Sequence, residues 1–349
     1  MMKLKRERTV LGFSGGVDST AAALLLEGLG HEVICVFLDV TGRGEHGAAA
    51  EAARQLGFRL ITMDVSSDFA GAVIRDFGDE YRRGRTPNPC VLCNPAIKFK
   101  HLLKAADMEG AQRIATGHYA GVVFDESEGR HFICKGACAR KDQSYVLYRL
   151  GQEALSRLML PLARFESKQE VRELVKGRGI CSAEAGDSQE ICFVPHNMNY
   201  VDYLESLGHP CIRGNFIDMN GEVMGVHDGI WSYTVGQRKH LGKSFGKPMH
   251  VVRISGETGD VTLGDEDDLM STEVISLSNV FVSEGIDSMK VMAKVRYGAA
   301  ASEATVRTGE AGAVRTVFAK PQRAVAPGQS IVFYDGERVI GGGIISKAL

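Results

Sequence analysis

A chain of 349 residues is too long for one minimal core and points to two or three domains at roughly 150 residues each. Hydrophobic residues at 44% and charged residues at 24% are ordinary globular values, which exclude disorder, a collagen-like repeat or a coiled-coil rod as a description of the whole. With 41 basic against 43 acidic residues the formal charge is -2, so the chain is not basic all over, although a local basic path for a polyanion remains open.

No stretch approaches the roughly 20 apolar residues of a membrane helix, and MMKLKRERTV has no apolar signal core behind it. The expectation is a cytoplasmic protein without a membrane anchor. Eight cysteines in a reducing compartment do not read as a disulfide framework, so their spacing matters more than their number.

In chain order, Thr9 to Phe13, Glu32 to Leu38, Arg59 to Val65 and Arg113 to Tyr119 read as buried parallel strands, rich in β-branched and apolar residues. Helical patterns fall between and after them, at Thr20 to Leu29, Ala48 to Leu56, Phe69 to Arg83 and Lys98 to Met108. This alternation predicts an α/β fold with a doubly wound parallel sheet, and a ligand site in the loops after Phe13, Leu38 and Ile114, beyond the carboxyl ends of the strands. Gly121 to Lys135 predicts a hairpin turning at Glu126 to Gly129, and helices are predicted at Gln143 to Leu150, Gln152 to Met159 and Lys168 to Lys176. After about Asn199 the texture changes to glycine-rich extended runs. Beyond the acidic Gly264 to Asp268, short strands predict a small C-terminal β-barrel or sandwich. The expected domains are residues 1–198, a small central domain at 199–264, and a barrel at 265–349.

The strongest chemical signal is FSGGVDST, Phe13 to Thr20, which leaves a strand and enters a helix. Gly15 and Gly16 let backbone approach an anion. Ser14, Ser19 and Thr20 supply hydroxyls at the positive end of the helix dipole. The segment lacks the lysine of a Walker A loop, which favours binding of a triphosphate tail over transfer of the terminal phosphate. A competing pattern lies nearby. Gly42, Gly44 and Gly47 spell GxGxxG with Asp64 about 20 residues on, as a nicotinamide dinucleotide site would have.

In RTPNPCVLCNPAIKF, Pro87, Pro89 and Pro95 argue against regular helix and put Cys90 and Cys93 on a loop. Arg82, Arg83, Arg85, Lys98 and Lys100 around them would lower a thiol pKa and attract a polyanion. A zinc knuckle of Cys90, Cys93, Cys134 and Cys138 is the bland alternative. In DSQEICFVP, Cys192 lies between Ile191 and Phe193, where an isolated cysteine would by default be core packing.

SGGVDST resembles the PP-loop of ATP pyrophosphatases. Together with RTPNPCVLCN, ATGHYA (Ala115 to Ala120), KDQSY (Lys141 to Tyr145), DSQEICF (Asp187 to Phe193), TVGQRKHLG (Thr234 to Gly242) and PGQSIVFYDG (Pro327 to Gly336), it follows the motif order of the tRNA-specific 2-thiouridylases, the MnmA family. The resemblance runs from about Gly12 to Ile345. It implies that ATP adenylates the 2-oxygen of the wobble uridine, position 34, in tRNAs for lysine, glutamate and glutamine. A persulfide sulfur then replaces the oxygen. By the same match Cys192 would carry the persulfide and Cys93 would be the nucleophile, leaving a Cys93 to Cys192 disulfide. Such transient cytosolic disulfides need a reductant, and the persulfide needs a sulfur-relay donor protein. Gly12, Phe13, Ser14, Gly15, Gly16, Val17, Asp18, Ser19, Leu38 and Gly117 would line the ATP site, with Mg2+ near Asp18. Asn88, Pro89 and Cys90 would meet the flipped-out base. His118, Lys141, Asp142, Gln143, Arg296, Tyr297 and Gln329 would contact tRNA, and a monomer is expected.

Cys90 stands where some members carry an aspartate, which opens a second mechanism: an iron–sulfur cluster on Cys90, Cys93 and Cys192. The further alternatives are a small-molecule PP-loop synthetase that adenylates and then amidates, and a tRNA-binding or cluster-scaffold protein without turnover.

Overall fold

The computed structural model describes residues 6–180, 191–195, 197–208, 211–283 and 288–349. Two compact units emerge. One comprises Met1–Ala72, Cys90–Gln189 and Glu337–Ile340, the other Val73–Pro89, Glu190–Gly336 and Gly341–Leu349.

The first unit is built on β1 (Arg8–Gly12), α1 (Val17–Gly28), β2 (Glu32–Asp39), α2 (Gly47–Leu56), β3 (Arg59–Asp64), α3 (Lys100–Met108) and β4 (Arg113–Ala115). After these come a hairpin of β5 (Ala120–Asp125) and β6 (Arg130–Lys135), the short β7 (Leu158–Met159) and α4 (Lys168–Lys176). The main sheet is parallel with order β3-β2-β1-β4-β7. Strand order therefore reverses between β1 and β4, the crevice where open α/β sheets bind ligands. Val10, Leu11, Cys35 and Val36 are fully buried, as expected of central strands covered on both faces. Ala21, Ala22 and Ala23 of α1 are also fully buried, and such small side chains let the helix lie close to the sheet.

The predicted strands and most helices are present, and three segments differ. β4 stops at Ala115 instead of running to Tyr119, because Thr116 to His118 leave the ladder. The helix expected at Gln143 to Leu150 is only a 3-10 turn, Ser144–Leu147. The proline-rich segment is helical after all, with an α-helical turn Pro89–Cys93 running into a π-helical turn Asn94–Phe99 and then α3. Pro89 opens the turn, where a missing N–H costs nothing. Pro95 falls in the wide π-turn, a register that tolerates a missing rung. Cys90 and Cys93 thus stand three apart on one helical turn rather than on a loop.

In the second unit, helices Arg75–Arg82 and Tyr200–Ser206 share an aromatic cluster. Tyr81 stacks on Tyr200 with centroids 5.1 Å apart, and Phe193 meets Phe77 edge-on at 5.3 Å. A four-stranded sheet of β8 (Gly214–Ile217), β9 (Val223–His227), β10 (His250–Ile254) and β11 (Val261–Gly264) has order β10-β11-β8-β9. The last strands are β12 (Met270–Phe281), β13 (Ser288–Lys294), β14 (Ser302–Thr308), β15 (Val314–Arg323), β16 (Ser330–Asp335) and β17 (Arg338–Ala348). Their order β12-β15-β14-β13-β16-β17 closes through a β12 to β17 pairing, so this is a barrel and not a sandwich. Closure removes exposed strand edges. Fully buried Ile331, Val332, Phe333 and Tyr334 of β16 contribute to its core.

Candidate active site

The phosphate loop sits at the carboxyl end of β1. Gly16 caps α1 in an extended conformation and offers no side chain to the first turn, whose amide hydrogens lack intrahelical partners. Gly15 has φ +77, and a Cβ there would lie 2.6 Å from the backbone of Ala48 and Ala49 at the start of α2. Gly117, in the loop after β4, lies so near the loop that its Cβ would be 2.8 Å from the Asp18 carbonyl carbon. Side chains at these two positions would push the walls apart. Ser14 is exposed, and its hydroxyl lies 3.3 Å from that of Ser19, which donates to the Gly16 carbonyl at 3.1 Å. Thr20, expected among the hydroxyl donors, is fully buried. Gly12, Phe13 and Val17 form the loop's footing, and Leu38 is half-buried near the end of β2. The strand-end loops named by the sequence therefore converge within this one unit.

Asp18 is the charged centre of the loop. Its Oδ1 accepts the Tyr119 hydroxyl at 2.7 Å, and its Oδ2 faces the Lys168 ammonium at 3.2 Å. Sequence reasoning singled out neither partner. Lys168 begins α4 behind an N-cap in which Ser167 accepts the Glu170 amide, so a capping box was its only local signal. A cation and an uncapped helix N-terminus beside one carboxylate suit a polyphosphate with its counter-ion.

The GxGxxG pattern has another use. Asp39 is buried, and burial pushes its carboxyl pKa up. Hydrogen bonds from the amides of Gly44, Thr41 and Gly42 and the Thr41 hydroxyl outweigh this and hold it below the ordinary value. The amides of Gly42 and Gly44 thus serve the chain's own carboxylate, and Asp64 accepts from the Ser66 amide and hydroxyl. The dinucleotide reading loses its donors.

Cys90 is exposed and Cys93 half-buried. Behind Cys93, buried Asn94 donates to the Val146 carbonyl at 2.9 Å, tying the helical turn to the 3-10 turn. Much of the positive charge that neighbours them in sequence is paired with carboxylates. Arg82 pairs with Asp79, Arg83 and Arg85 with Glu80, and Lys100 with Asp68; Lys98 makes no ion pair among the described residues. Among those residues, no group of three or more His, Cys, Asp or Glu side chains is placed to hold a metal ion, so the zinc knuckle of the first unit gains no support.

His118 stacks on Phe99 at 6.1 Å and shares a hydrogen bond with the Thr116 hydroxyl through Nδ1. Burial, with Lys98 adding to it, holds its pKa well below 6.5, so the imidazole is neutral. Asp142 is buried and accepts from the Gly136 and Ser144 amides and the Ser144 hydroxyl, while Gln143 accepts the Tyr119 amide at 2.9 Å. Asp142 thus braces its own loop and Gln143 ties it to the segment after β4, beside half-buried Lys141.

In the second unit Cys192 is exposed whereas Phe193 is buried against Phe77, so the core position is the neighbour's and not the thiol's. Asp187 to Glu190 lie outside the described residues. Asn88 and Pro89 are half-buried, Arg296 and Tyr297 are exposed after β13, and Gln329 donates to the carbonyls of Thr86 and Pro87.

A parallel sheet with a glycine-lined phosphate loop at its switch point, followed by a four-stranded domain and a closed barrel, defines a PP-loop nucleotide enzyme with two β appendages. Family models agree: the tRNA methyl transferase HUP domain matches residues 7–196, its PRC-barrel domain 202–265, and the aminomethyltransferase beta-barrel domain 273–345. The tRNA-specific 2-thiouridylase MnmA 2 of Caldanaerobacter subterraneus subsp. tengcongensis is 45% identical, over 98% of this chain and 99% of the relative. MnmA 1 of a Thermoanaerobacter species is 44% identical with the same coverage, and MnmA of Acetivibrio thermocellus is 42% identical over 98% of this chain and all of the relative. The chain belongs to the MnmA family of tRNA-specific 2-thiouridylases.

Proposed function

We propose that this protein is a tRNA-uridine 2-sulfurtransferase that makes 2-thiouridine at the expense of ATP. Family membership over nearly the whole length supports the reaction, and the uncapped phosphate loop at the β1 to β4 switch point is the single structural observation that carries it. The uridine 2-oxygen attacks the α-phosphorus of ATP, an O–P bond forms, and pyrophosphate departs. The outer sulfur of a Cys192 persulfide then bonds to C2, and AMP leaves with the oxygen. Attack of the Cys93 thiolate on the Cys192 sulfur breaks the S–S bond, leaving the sulfur on the base and a disulfide between the two cysteines. Two electrons from an external reductant reset the pair.

Gly12 to Ser19, Leu38 and Gly117 would surround the nucleotide. Asp18, partly exposed and with lone pairs beyond those used by Tyr119 and Lys168, fits a role in holding Mg2+, which would offset pyrophosphate charge. Asn88, Pro89 and Cys90 would receive the flipped base. His118, Lys141 to Gln143, Arg296, Tyr297 and Gln329 would face tRNA, with a wobble uridine of the lysine, glutamate and glutamine tRNAs as target. Neutral His118 on Phe99 is suited to neutral hydrogen bonding rather than phosphate pairing. A cytoplasmic monomer supplied by a sulfur-relay protein completes the reading, and among the described residues no helix is long and apolar enough to cross a membrane. The test is nucleoside mass analysis of tRNA incubated with enzyme, ATP, magnesium and a sulfide source. The expected product is 2-thiouridine at position 34 with one pyrophosphate per turnover, and unchanged uridine would refute the proposal.

A further inference from the structure

Residues 85–88, which lead into the base-recognition segment, belong to neither helix nor strand, so their backbone polar groups need partners elsewhere. One comes from nearby: the Arg85 amide donates to the Glu80 carbonyl at 2.9 Å. The others come from the far end of the chain. The Thr86 amide donates to the Pro327 carbonyl at 2.8 Å, and Nε2 of Gln329 donates to the carbonyls of Thr86 at 2.9 Å and Pro87 at 3.3 Å. Between these anchors Gly328, at φ +89, approaches so closely that a Cβ would lie 2.9 Å from the Thr86 nitrogen. The same turn is bolted to the barrel, because the Gly328 amide donates to the Ile345 carbonyl and the Ile345 amide to the Gln329 carbonyl.

We infer that Gln329 is a positioning residue, whose carboxamide hydrogens clamp Thr86 and Pro87 to the barrel and thereby fix where Asn88 and Pro89 stand. The inference rests on the proposed role of Asn88 and Pro89 in receiving the base. Because Nε2 is committed to the loop, any RNA contact by this side chain falls to Oε1. One carboxamide then joins the RNA-gripping barrel to the base segment, and a shift at either end is felt at the other.

The test compares wild type with Gln329→Glu, which keeps length and acceptor atoms but has no N–H, and with Gln329→Ala. Three quantities are read on the full-length protein: amide hydrogen exchange in a peptide spanning residues 82–92, equilibrium tRNA binding, and single-turnover thiolation at saturating tRNA and ATP. Both variants should exchange about tenfold faster in that peptide while global unfolding stays unchanged, and reading the rate at saturating tRNA separates positioning from any loss of tRNA affinity. Both should thiolate about 10- to 100-fold more slowly, the cost of a misplaced reacting group. Unchanged exchange would overturn the clamp itself. Faster exchange with an unchanged saturating rate would overturn the positioning role, as would weaker tRNA binding with the rate intact. Absence of 2-thiouridine with the wild-type protein would instead sink the underlying reading of the reaction.

Discussion

The proposed phosphate loop and the proposed base segment would both offer main-chain groups to a ligand, but they are held in different ways. Phe13 to Ser19 is fixed by a sheet: β1 delivers it, and α2 and the loop after β4 press on it through Gly15 and Gly117. Residues 85–88 belong to neither strand nor helix, and the Thr86 carbonyl is held by Gln329, 243 residues further along the chain. The first arrangement is local to one parallel layer and tolerates little change. The second is a long-range attachment, which separates making the fold from tuning the site.

The sharpest way to break this picture is at the thiols. Cys93→Ser and Cys192→Ser should each abolish 2-thiouridine formation while tRNA binding by filter assay stays within about twofold, since serine is a poor persulfide carrier and nucleophile. Full activity in either variant would remove that cysteine from its role. Asp18→Ala comes next. Loss of the carboxylate beside Lys168 should slow tRNA-dependent pyrophosphate release by about 10²- to 10³-fold, in the range of other lost electrostatic groups, and normal release would contradict the loop's function.

A smaller effect is expected of Gly117→Ala. A methyl 2.8 Å from the Asp18 carbonyl carbon must move the loop, with an overpacking cost of about 1–3 kcal/mol and weaker ATP binding by isothermal calorimetry. An unaltered affinity would show that the close approach does not shape the nucleotide site. The smallest concerns His118. Its folded pKa lies well below 6.5, so the unfolded chain binds more protons as pH drops under that value. Stability should fall by up to about 1.4 kcal/mol per pH unit until the folded imidazole itself titrates. His118→Gln should flatten that slope in urea melts between pH 5 and about 6.5, and an identical slope would place the titrating group elsewhere.

Much of this was legible in the chain itself. Apolar runs separated by helical patterns gave the parallel sheet, glycine punctuation gave a C-terminal barrel or sandwich that the β12 to β17 pairing resolves as a barrel, and SGGVDST marked the glycine turn into α1, because periodicity and turn chemistry are properties of neighbours in sequence. Proline content misled at Pro89–Cys93, since proline at a first helical turn costs no hydrogen bond and the π-turn absorbs the next one. The GxGxxG pattern misled because the buried Asp39 carboxylate that consumes its amides is recognised only once the strand end is folded.

The sequence by itself determined the strand–helix alternation, the cysteine spacing and the glycine-rich turn between β1 and α1 that is proposed to meet phosphate. Only the tertiary structure decided that Lys168 and Tyr119 flank Asp18, that Gln143 accepts the Tyr119 amide, and that Gln329 reaches back to Thr86. Each of these is a contact between residues far apart in the chain, and no local propensity records which distant partner will satisfy a buried polar group.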